Sequence, residues 1–153
     1  MNDRAKDNKI IRLDDYWPYL ITVLSERIAR RTSKIVKEKA GLNLSQWRVM
    51  AAIGEVPGRT SAEVVTITPM DKGIVSRATK ALITQGLVLR EASQTDGRIS
   101  FLHLTPKGQQ VYATLIPLVE GLLGRAEEVL SEDEQKHLCH YLGQLTSVIP
   151  DFR

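Results

Sequence analysis

The sequence predicts a mainly α fold with one small β-hairpin, and three features near its middle carry this prediction. Apolar residues recur at every fourth position, which gives a helix one buried stripe, at Met70, Ile74, Ala78 and Leu82. The period then changes from four to two, so 88–91 and 100–104 are expected to be short strands. Asp96 and Gly97 between them are a strong signal for a hairpin turn. Helix, strand, hairpin turn and strand in this order predict a winged helix-turn-helix.

A long helix is predicted upstream of this unit. It follows an N-cap at Asp14 or Asp15, tolerates Pro18 in its first turn and runs to about Lys39, where Gly41 stops it. Its apolar positions are Tyr16, Leu20, Val23, Leu24, Ile28, Ile35 and Val36. The middle of this helix is strongly basic, and we interpret that side as a solvated face in preference to a direct contact with phosphate.

Two short helices are predicted between the long helix and residue 69. Ser45 is the expected N-cap of the first, which carries Trp47 as a core residue and ends at 57–58. Thr60 or Ser61 opens the second. These two helices complete the helical part of the winged helix-turn-helix.

The helix that begins near residue 70 has an outer face suited to DNA. Asp71 is its expected N-cap, and Gly86 ends it as a left-handed residue would. The outward residues are small, hydroxylated or cationic, and they are Lys72, Gly73, Ser76, Arg77 and Lys80. A face with several cations and almost no acid suits the negatively charged major groove.

Two further helices are predicted after the hairpin. Thr105 caps the first with Pro106 at its first position, and Pro117 is expected to kink it. Ser131 and Glu134 form a capping-box pattern for the second. Its apolar residues are Leu138, Tyr141, Leu142, Leu145 and Val148. This pair of helices has more apolar surface than a small winged helix can cover, so we expect an obligate homodimer.

Composition narrows the classes of protein that remain. A hydrophobic share of 42% in 153 residues suffices for one compact domain. We expect a cytoplasmic protein without a membrane partner, because no run approaches the roughly 18 apolar residues of a membrane span and 1–8 lack a secretion signal. The single cysteine, Cys139, is expected to be buried and inert. His137, His140 and one thiol fall short of a zinc site, and we expect no cofactor.

Positive charge is concentrated in two segments of the chain. The net charge is +3, but Lys and Arg exceed Asp and Glu by four in 1–40 and by three in 71–107. Acidic residues exceed basic ones by four in 108–153. A uniformly solvated surface would not sort its charges in this way. A polyanion that faces one end of the molecule is the simpler explanation.

The stretch from residue 44 to residue 108 resembles the multiple-antibiotic-resistance regulator (MarR) family of bacterial transcription factors. The matching residues are 44–49, Met70-Asp71-Lys72 with Val75-Ser76-Arg77, Gln85-Gly86-Leu87-Val88 with Arg90, Asp96-Gly97-Arg98, and Leu104-Thr105-Pro106-Lys107-Gly108. Two features depart from the family pattern, namely the sequence of 65–69 and the glycine at position 73. A glycine inside a helix costs on the order of 1 kcal/mol.

The resemblance implies a homodimeric regulator that binds double-stranded DNA, by default as a repressor of a pseudo-palindromic operator. It also implies release from DNA by a small-molecule effector, often a phenolic anion. We expect a single MarR-like domain over 1–153, with a winged-helix lobe at 42–108. The dimerisation helices are expected at 12–41 and 109–153, and we call these two segments the arms.

Residues of the helix and of the hairpin, or wing, are predicted to contact DNA. Arg77 can donate two hydrogen bonds to a guanine edge, with a salt bridge to Asp71 or Asp96 as the alternative. Lys72 and Lys80 suit phosphates, which fix position without specifying sequence. The full predicted set is Ser61, Lys72, Gly73, Ser76, Arg77, Lys80, Thr95, Asp96 and Arg98.

In the wing, the resemblance assigns Arg98 to the minor groove and Asp96 to the role of its acidic partner. Thr95 can add a hydrogen bond to phosphate. A tight turn at 96–97 is compatible with both roles.

An effector crevice is predicted near the start of the long helix. Its candidate residues are Arg12, Tyr16, Trp17, Tyr19 and Arg27. An aromatic cluster at a helix start is also typical of an interface core, which is the alternative.

Other functional classes are weaker. The sequence has no nucleophile elbow, phosphate-binding glycine loop or metal-ligand cluster, so we do not expect an enzyme. A winged helix used as a protein-interaction module predicts an apolar or acidic outer face, which Arg77 and its neighbours contradict. A non-specific architectural DNA-binding protein stays open as the second alternative.

Overall fold

The computed structural model describes residues 10–96, 98–125 and 128–151 and is mainly helical with one small hairpin. Its helices are α1 (Trp17–Ala40), α2 (Leu44–Glu55), α3 (Ser61–Ile67), α4 (Lys72–Thr84), α5 (Pro106–Glu120) and α6 (Glu132–Val148), with a 3-10 turn at Gly121–Leu123. The strands β1 (Val88–Ala92) and β2 (Ser100–Leu104) pair antiparallel, with Val88 opposite Leu104. The predicted fold class is confirmed, and the predicted turn residue Gly97 lies outside the described residues.

The hydrophobic core lies where α1, α2, α4, the hairpin and α5 meet. Its large, fully buried side chains are Val36, Leu42, Val49, Met50, Ile53, Val64, Met70, Val75, Leu82, Leu102 and Leu115. Trp47 is buried as predicted, and its ring packs on Tyr112 with 5.7 Å between the centroids. Most of these residues belong to the winged-helix lobe, which is therefore built around its own core.

The buried side of α4 differs in part from the predicted stripe. Ala78 and Leu82 are buried, whereas Ile74 is only half-buried. Val75 and Thr79 complete the buried side and were not predicted to do so. A spacing of four drifts by roughly 40° per step around a helix with 3.6 residues per turn. The real face therefore alternates steps of three and four residues.

Two predicted N-caps are wrong. α1 begins after Tyr16 and has no side-chain cap. A cap at Asp15 would need the N–H of Pro18 three residues further on, and proline has none. α2 is capped by Asn43, and Ser45 lies inside the helix.

Asn43 caps α2 through a reciprocal pair of hydrogen bonds. Its Oδ1 accepts from the Gln46 N–H at 2.9 Å, and Gln46 Oε1 accepts from the Asn43 N–H at 2.8 Å. Ser45 has no such partner three residues further on. The reciprocal bonds decide where α2 starts.

The predicted caps of the later helices are confirmed. Thr60, Asp71, Thr105 and Ser131 each accept a hydrogen bond from a backbone N–H three residues further on. Each bond satisfies one donor that the first turn of a helix leaves free. These starts hold the orientation of α3 and α4 relative to the wing.

The start of α5 is locked onto the exit of α4. Gly86 has φ 69°, the left-handed value predicted for it, and its carbonyl accepts from the Thr105 hydroxyl at 2.6 Å. A Cβ at Gly108 would lie 2.0 Å from the Leu87 carbonyl oxygen, so only glycine fits there. This junction fixes the base of the wing.

The arms expose much of their apolar surface. α6 has no buried residue, and the side chains of Tyr16, Trp17, Leu20, Leu24, Leu138, Tyr141, Leu142 and Val148 are all exposed. Pro117 lies inside α5, which ends three residues later and continues as the 3-10 turn. None of the helices described is long and apolar enough to cross a bilayer.

Candidate nucleic-acid interface

The outer face of α4 exposes all of the residues predicted for it. Lys72, Gly73, Ser76, Arg77 and Lys80 are exposed because Val75, Ala78, Thr79 and Leu82 hold the other side of the helix in the core. The rigid attachment of the buried side means that the exposed side chains project from a fixed platform. A platform of this kind can enter a groove without unfolding.

Arg77 forms no ion pair with the residues that the structure describes. Among the residues that the structure describes, no carboxylate oxygen lies within 4.0 Å of its guanidinium. The alternative pairing with Asp71 or Asp96 is therefore wrong. Asp71 instead accepts from the Ile74 N–H at 2.7 Å and closes the N-terminus of α4.

A cleft of about 340 Å³ separates α3 from α4 and gathers three predicted residues. Ser61, Lys72 and Ser76 line it, together with Ala62 and Val65. Two hydroxyl groups and one ammonium group thus lie on the same side of α4. This arrangement suits a phosphate that approaches between the two helices.

Arg77 lies in a second cleft, on the opposite side of α4. This cleft has a volume of about 350 Å³, and Asn43, Ser45 and Gln46 at the start of α2 line its other wall. The outer face of α4 is therefore divided, with Lys72 and Ser76 toward α3 and Arg77 toward α2. The sequence prediction did not contain this division.

Hydrogen bonds close the tip of the wing. Ser93 Oγ accepts from the backbone N–H of Thr95 and of Asp96, each at 3.2 Å. Asp96 Oδ1 accepts from the Arg98 backbone N–H at 2.9 Å. Asp96 therefore orients the backbone of Arg98, not its guanidinium as the resemblance implied. The Arg98 side chain is exposed and extends from a fixed backbone.

The α3 cap carries an electrostatic feature. The Thr60 backbone N–H and hydroxyl both donate to Glu63 Oε2, at 2.7 and 2.9 Å, and hold the pKa of this carboxyl below its usual range. The charge of Arg59 acts in the same direction. Glu63 is therefore ionised at neutral pH while it caps the helix.

Arg59 and the α2 start were missed as site-forming residues. The Arg59 guanidinium donates to the Ala52 carbonyl at 2.7 Å and pairs with Glu55, while its backbone carbonyl accepts from the Leu102 N–H at 3.0 Å. It thus ties α2 to the wing. The spacing of Asn43 and Gln46 is that of a capping box and could have predicted the start of α2. No sequence pattern indicated that Arg59 connects α2 to the wing.

A further cleft, with a volume of about 500 Å³, lies between the arms. Its walls are mainly apolar and consist of Trp17, Pro18, Ile21, Leu142, Leu145, Thr146, Ile149, Pro150 and Asp151. Of the predicted effector residues, Trp17 is the one in this wall. Arg12, Tyr16 and Tyr19 are exposed beside it, and Arg27 follows Trp17 by a rise of roughly 15 Å along α1.

The thiol on α6 was predicted wrongly. Cys139 is exposed, because α6 packs no side fully against the rest of its own subunit. The described residues contain no group of three or more side chains that could hold a metal ion. His103, on β2, lies 3.6 Å from a Glu91 carboxylate oxygen.

Comparisons with known proteins agree in sequence and in structure. The model of the MarR family matches residues 40–99. BilQ, an HTH-type transcriptional regulator of Clostridium symbiosum (strain WAL-14163), is 27% identical over 108 residues, which are 71% of this chain and 75% of BilQ. The crystal structure of a MarR-family regulator from Silicibacter pomeroyi matches with a TM-score of 0.81 at 25% identity and covers 94% of this chain and 97% of that one.

Two structures of CouR share the fold at lower identity. The transcriptional repressor CouR bound to a 23-mer DNA duplex has a TM-score of 0.75 at 24% identity, with 90% of this chain and 99% of that one covered. CouR from Rhodococcus jostii RHA1 bound to p-coumaroyl-CoA has a TM-score of 0.80 at 19% identity, with 94% and 99% covered.

Proposed function

Because this chain belongs to the MarR family of DNA-binding transcriptional regulators, we propose that it is a homodimeric repressor of a specific operator in double-stranded DNA. Two α4 helices, one from each subunit, enter the major groove on one face of the duplex. The operator is then a pseudo-palindrome with half-sites about 10 to 11 base pairs apart, centre to centre.

The observation that carries this proposal is the exposure of the outer face of α4 and the lack of an acidic partner for Arg77 among the described residues. The face is exposed and held rigidly by the core, and in the described part of the chain its Arg77 has no acidic partner. A guanidinium without a partner keeps all of its N–H donors for a ligand. The ligand that suits such a face is a polyanion with hydrogen-bond acceptors, as the major groove provides.

The α4 residues have two kinds of role in the proposal. Arg77 donates two hydrogen bonds to a guanine edge and specifies sequence. Lys72 and Lys80 contact phosphates and fix the register of the helix on the duplex. Ser76 and Ser61 add hydroxyl contacts from the cleft between α3 and α4.

The wing supplies the second contact. Arg98 reaches into the minor groove beside the half-site, where a narrow groove concentrates negative potential. Asp96 supports it by fixing the Arg98 backbone. Thr95 contributes a hydrogen bond to phosphate. CouR, which has the same fold, is a repressor bound to a DNA duplex and supports this mode of binding.

The homodimer is supported by the apolar surface of the arms. α6 buries no residue within one subunit, and its apolar side faces the same region as the exposed start of α1, where Trp17 and Leu142 share a cleft. A second copy of the chain, with the arms 12–41 and 109–153 packed together, covers these faces. The winged-helix lobe at 42–108 then carries the DNA contacts.

A small molecule releases the DNA in the proposal. CouR binds p-coumaroyl-CoA, which supports an aromatic carboxylic acid derivative as the class of effector to screen. The mainly apolar cleft around Trp17 is suited to an aromatic ring, whereas Arg27 is too far along α1 to touch the same small ring. The effector must bind a form of the dimer that binds DNA poorly, since otherwise it shifts no equilibrium.

The test is a selection of random duplexes by the purified protein, followed by sequencing and titration of the selected site at two salt concentrations. We expect a pseudo-palindrome and a protein dimer bound per site. Arg77→Ala should weaken the selected site and relax preference at one position, by about 1 to 3 kcal/mol. Lys72→Ala should weaken all sequences alike and reduce the salt slope by about one.

Lys136→Ala is the matched control, because Lys136 is an exposed cation on α6 that is not among the residues proposed to contact DNA. It should leave operator affinity unchanged. If no sequence is enriched and affinity merely falls as salt rises, the protein is a non-specific architectural protein. If Arg77→Ala leaves DNA affinity unchanged at physiological salt, the winged helix is a protein-interaction module.

A further inference from the structure

We propose that Gly73 is a specificity-determining residue that acts by positioning the guanidinium of Arg77. The inference rests on the proposed function, because it concerns which base pair the recognition helix reads. It differs from a direct contact between Gly73 and DNA, since Gly73 is in the set of residues predicted to contact DNA.

The observation is the close approach of two side chains to the place that a Cβ would take at residue 73. A Cβ built on Gly73 would lie 3.3 Å from Arg77 Nη1, 4.0 Å from Arg77 Cζ and 3.2 Å from Asp71 Oδ1. The arginine thus folds back along α4 and rests its guanidinium over the first turn. Both contacts with the added Cβ are closer than ordinary van der Waals distance at the charged atoms.

Helix geometry explains why the two residues meet. Side chains on a helix lean toward its N-terminus, so a long side chain covers the residue four positions earlier. Arg77 stands in that relation to Gly73. With any other residue at position 73, the guanidinium would have to lie a few tenths of an ångström further from the first turn.

The two neighbours of the added Cβ differ in their freedom to move. The Asp71 carboxylate is held by its 2.7 Å bond to the Ile74 N–H, which caps α4. The end of Arg77 is exposed and has no hydrogen bond or ion pair among the described residues. An alanine at position 73 therefore shifts the end of Arg77 by a few tenths of an ångström and leaves the cap in place.

Displacement of the guanidinium changes what the helix reads. A bidentate contact with guanine requires both N–H groups to meet O6 and N7 together, so a shift of this group weakens the contact or transfers it to another base pair. Helix stability moves the other way, because alanine favours a helix more than glycine does. Specificity and stability are thereby separable by experiment.

The experiment compares Gly73→Ala, Arg77→Ala and the double variant with the wild type in full-length protein. Each is used for selection from random duplexes and for titration of the wild-type operator, at a salt concentration low enough for Arg77→Ala to bind. Thermal unfolding is measured in parallel. Gly143→Ala is the control, since Gly143 is an exposed helical glycine with nothing within 4 Å of an added Cβ.

We expect Gly73→Ala to bind the wild-type operator about tenfold more weakly and to change the preferred base at the position that Arg77→Ala also alters. Its melting temperature should be equal to or above that of the wild type. In the Arg77→Ala background, Gly73→Ala should cause no further loss. Gly143→Ala should keep both the operator and its affinity.

Two results would overturn the inference while the proposed function stands. Unchanged operator preference and affinity in Gly73→Ala would show that Arg77 does not need the open position. An equal loss in the wild-type and Arg77→Ala backgrounds would show that the glycine backbone itself approaches the DNA. If the wild type selects no sequence at all, the proposed function fails first and the inference fails with it.

Discussion

The winged-helix lobe and the arms treat apolar side chains in opposite ways. In the lobe, Val75 and Leu82 are completely buried within one subunit. In the arms, Leu24, Tyr141 and Val148 are more than half exposed. The core of the lobe, to which the arms add Val36 and Leu115, is thus buried within one subunit, whereas much of the apolar surface of the arms is not. The difference teaches that the core of the lobe is complete within one chain, whereas the arms gain most from the proposed dimer.

The largest expected effect comes from the core side of the recognition helix. Leu82→Ala should lower the free energy of unfolding by about 3 kcal/mol, because it removes a fully buried side chain and leaves a cavity. Operator binding should fall with it. The adjacent Ile83→Ala is the matched control, since Ile83 is 37% exposed and should cost less than half as much. Denaturant unfolding at one protein concentration measures both, and equal costs would contradict a core confined to one side of α4.

The next effect tests the junction that fixes the wing. Gly108→Ala should cost about 2 kcal/mol, because the added Cβ would overlap the backbone carbonyl of Leu87 and force α5 away from the α4 exit. Gly121→Ala adds the same methyl group where nothing lies within 4 Å and should be nearly neutral. Thermal unfolding gives both values. A neutral Gly108→Ala would mean that the α5 start is not held against Leu87.

The starts of four helices were predictable because their signals are local. Caps at Thr60, Asp71, Thr105 and Ser131 depend on residues three positions apart, and the structure confirms them. The start of α1 was predicted wrongly, since a cap at Asp15 would need an N–H that Pro18 lacks. Helix boundaries of this kind depend on single hydrogen bonds, so one residue decides them.

The candidate interface was less predictable, because its geometry depends on tertiary contacts. Sequence spacing placed Lys72, Ser76 and Arg77 on the outer face of α4, but it did not show that they line different clefts. The spacing of four residues places Arg77 over Gly73, but the distance between the guanidinium and the glycine comes from the structure alone. Exposure of Cys139 depends on what α6 packs against, which is also a property of the assembled fold.

A smaller effect is expected in the arms, and it should appear in the association of subunits, which depends on protein concentration. Leu142 is 38% exposed in one subunit and lines the cleft with Trp17. If a second chain covers it, Leu142→Ala should weaken the dimer by about 1 kcal/mol per subunit, and sedimentation equilibrium should detect the shift. Gln144→Ala on the same helix is the control and should leave the association unchanged. If the protein is monomeric at all concentrations, the arms do not form a dimer interface.

The smallest effect compares two capping boxes of the same chemistry, Thr60 with Glu63 in the lobe and Ser131 with Glu134 in the arm. Hydrogen bonds from the cap residue's backbone N–H and hydroxyl lower the pKa of each carboxyl from its usual 4.5. Because the pKa is lower in the folded state, each ionised cap stabilises the fold fully above pH 4.5, and this contribution is lost as the pH falls through the pKa of the folded state.

Glu63→Gln should therefore reduce the difference in the free energy of global unfolding between pH 6 and pH 3. Glu134→Gln should act mainly on hydrogen exchange of the first turn of α6, because that helix buries no residue in its own subunit. Equal effects of the two variants on global unfolding would show that α6 is as firmly part of the cooperative unit as α3.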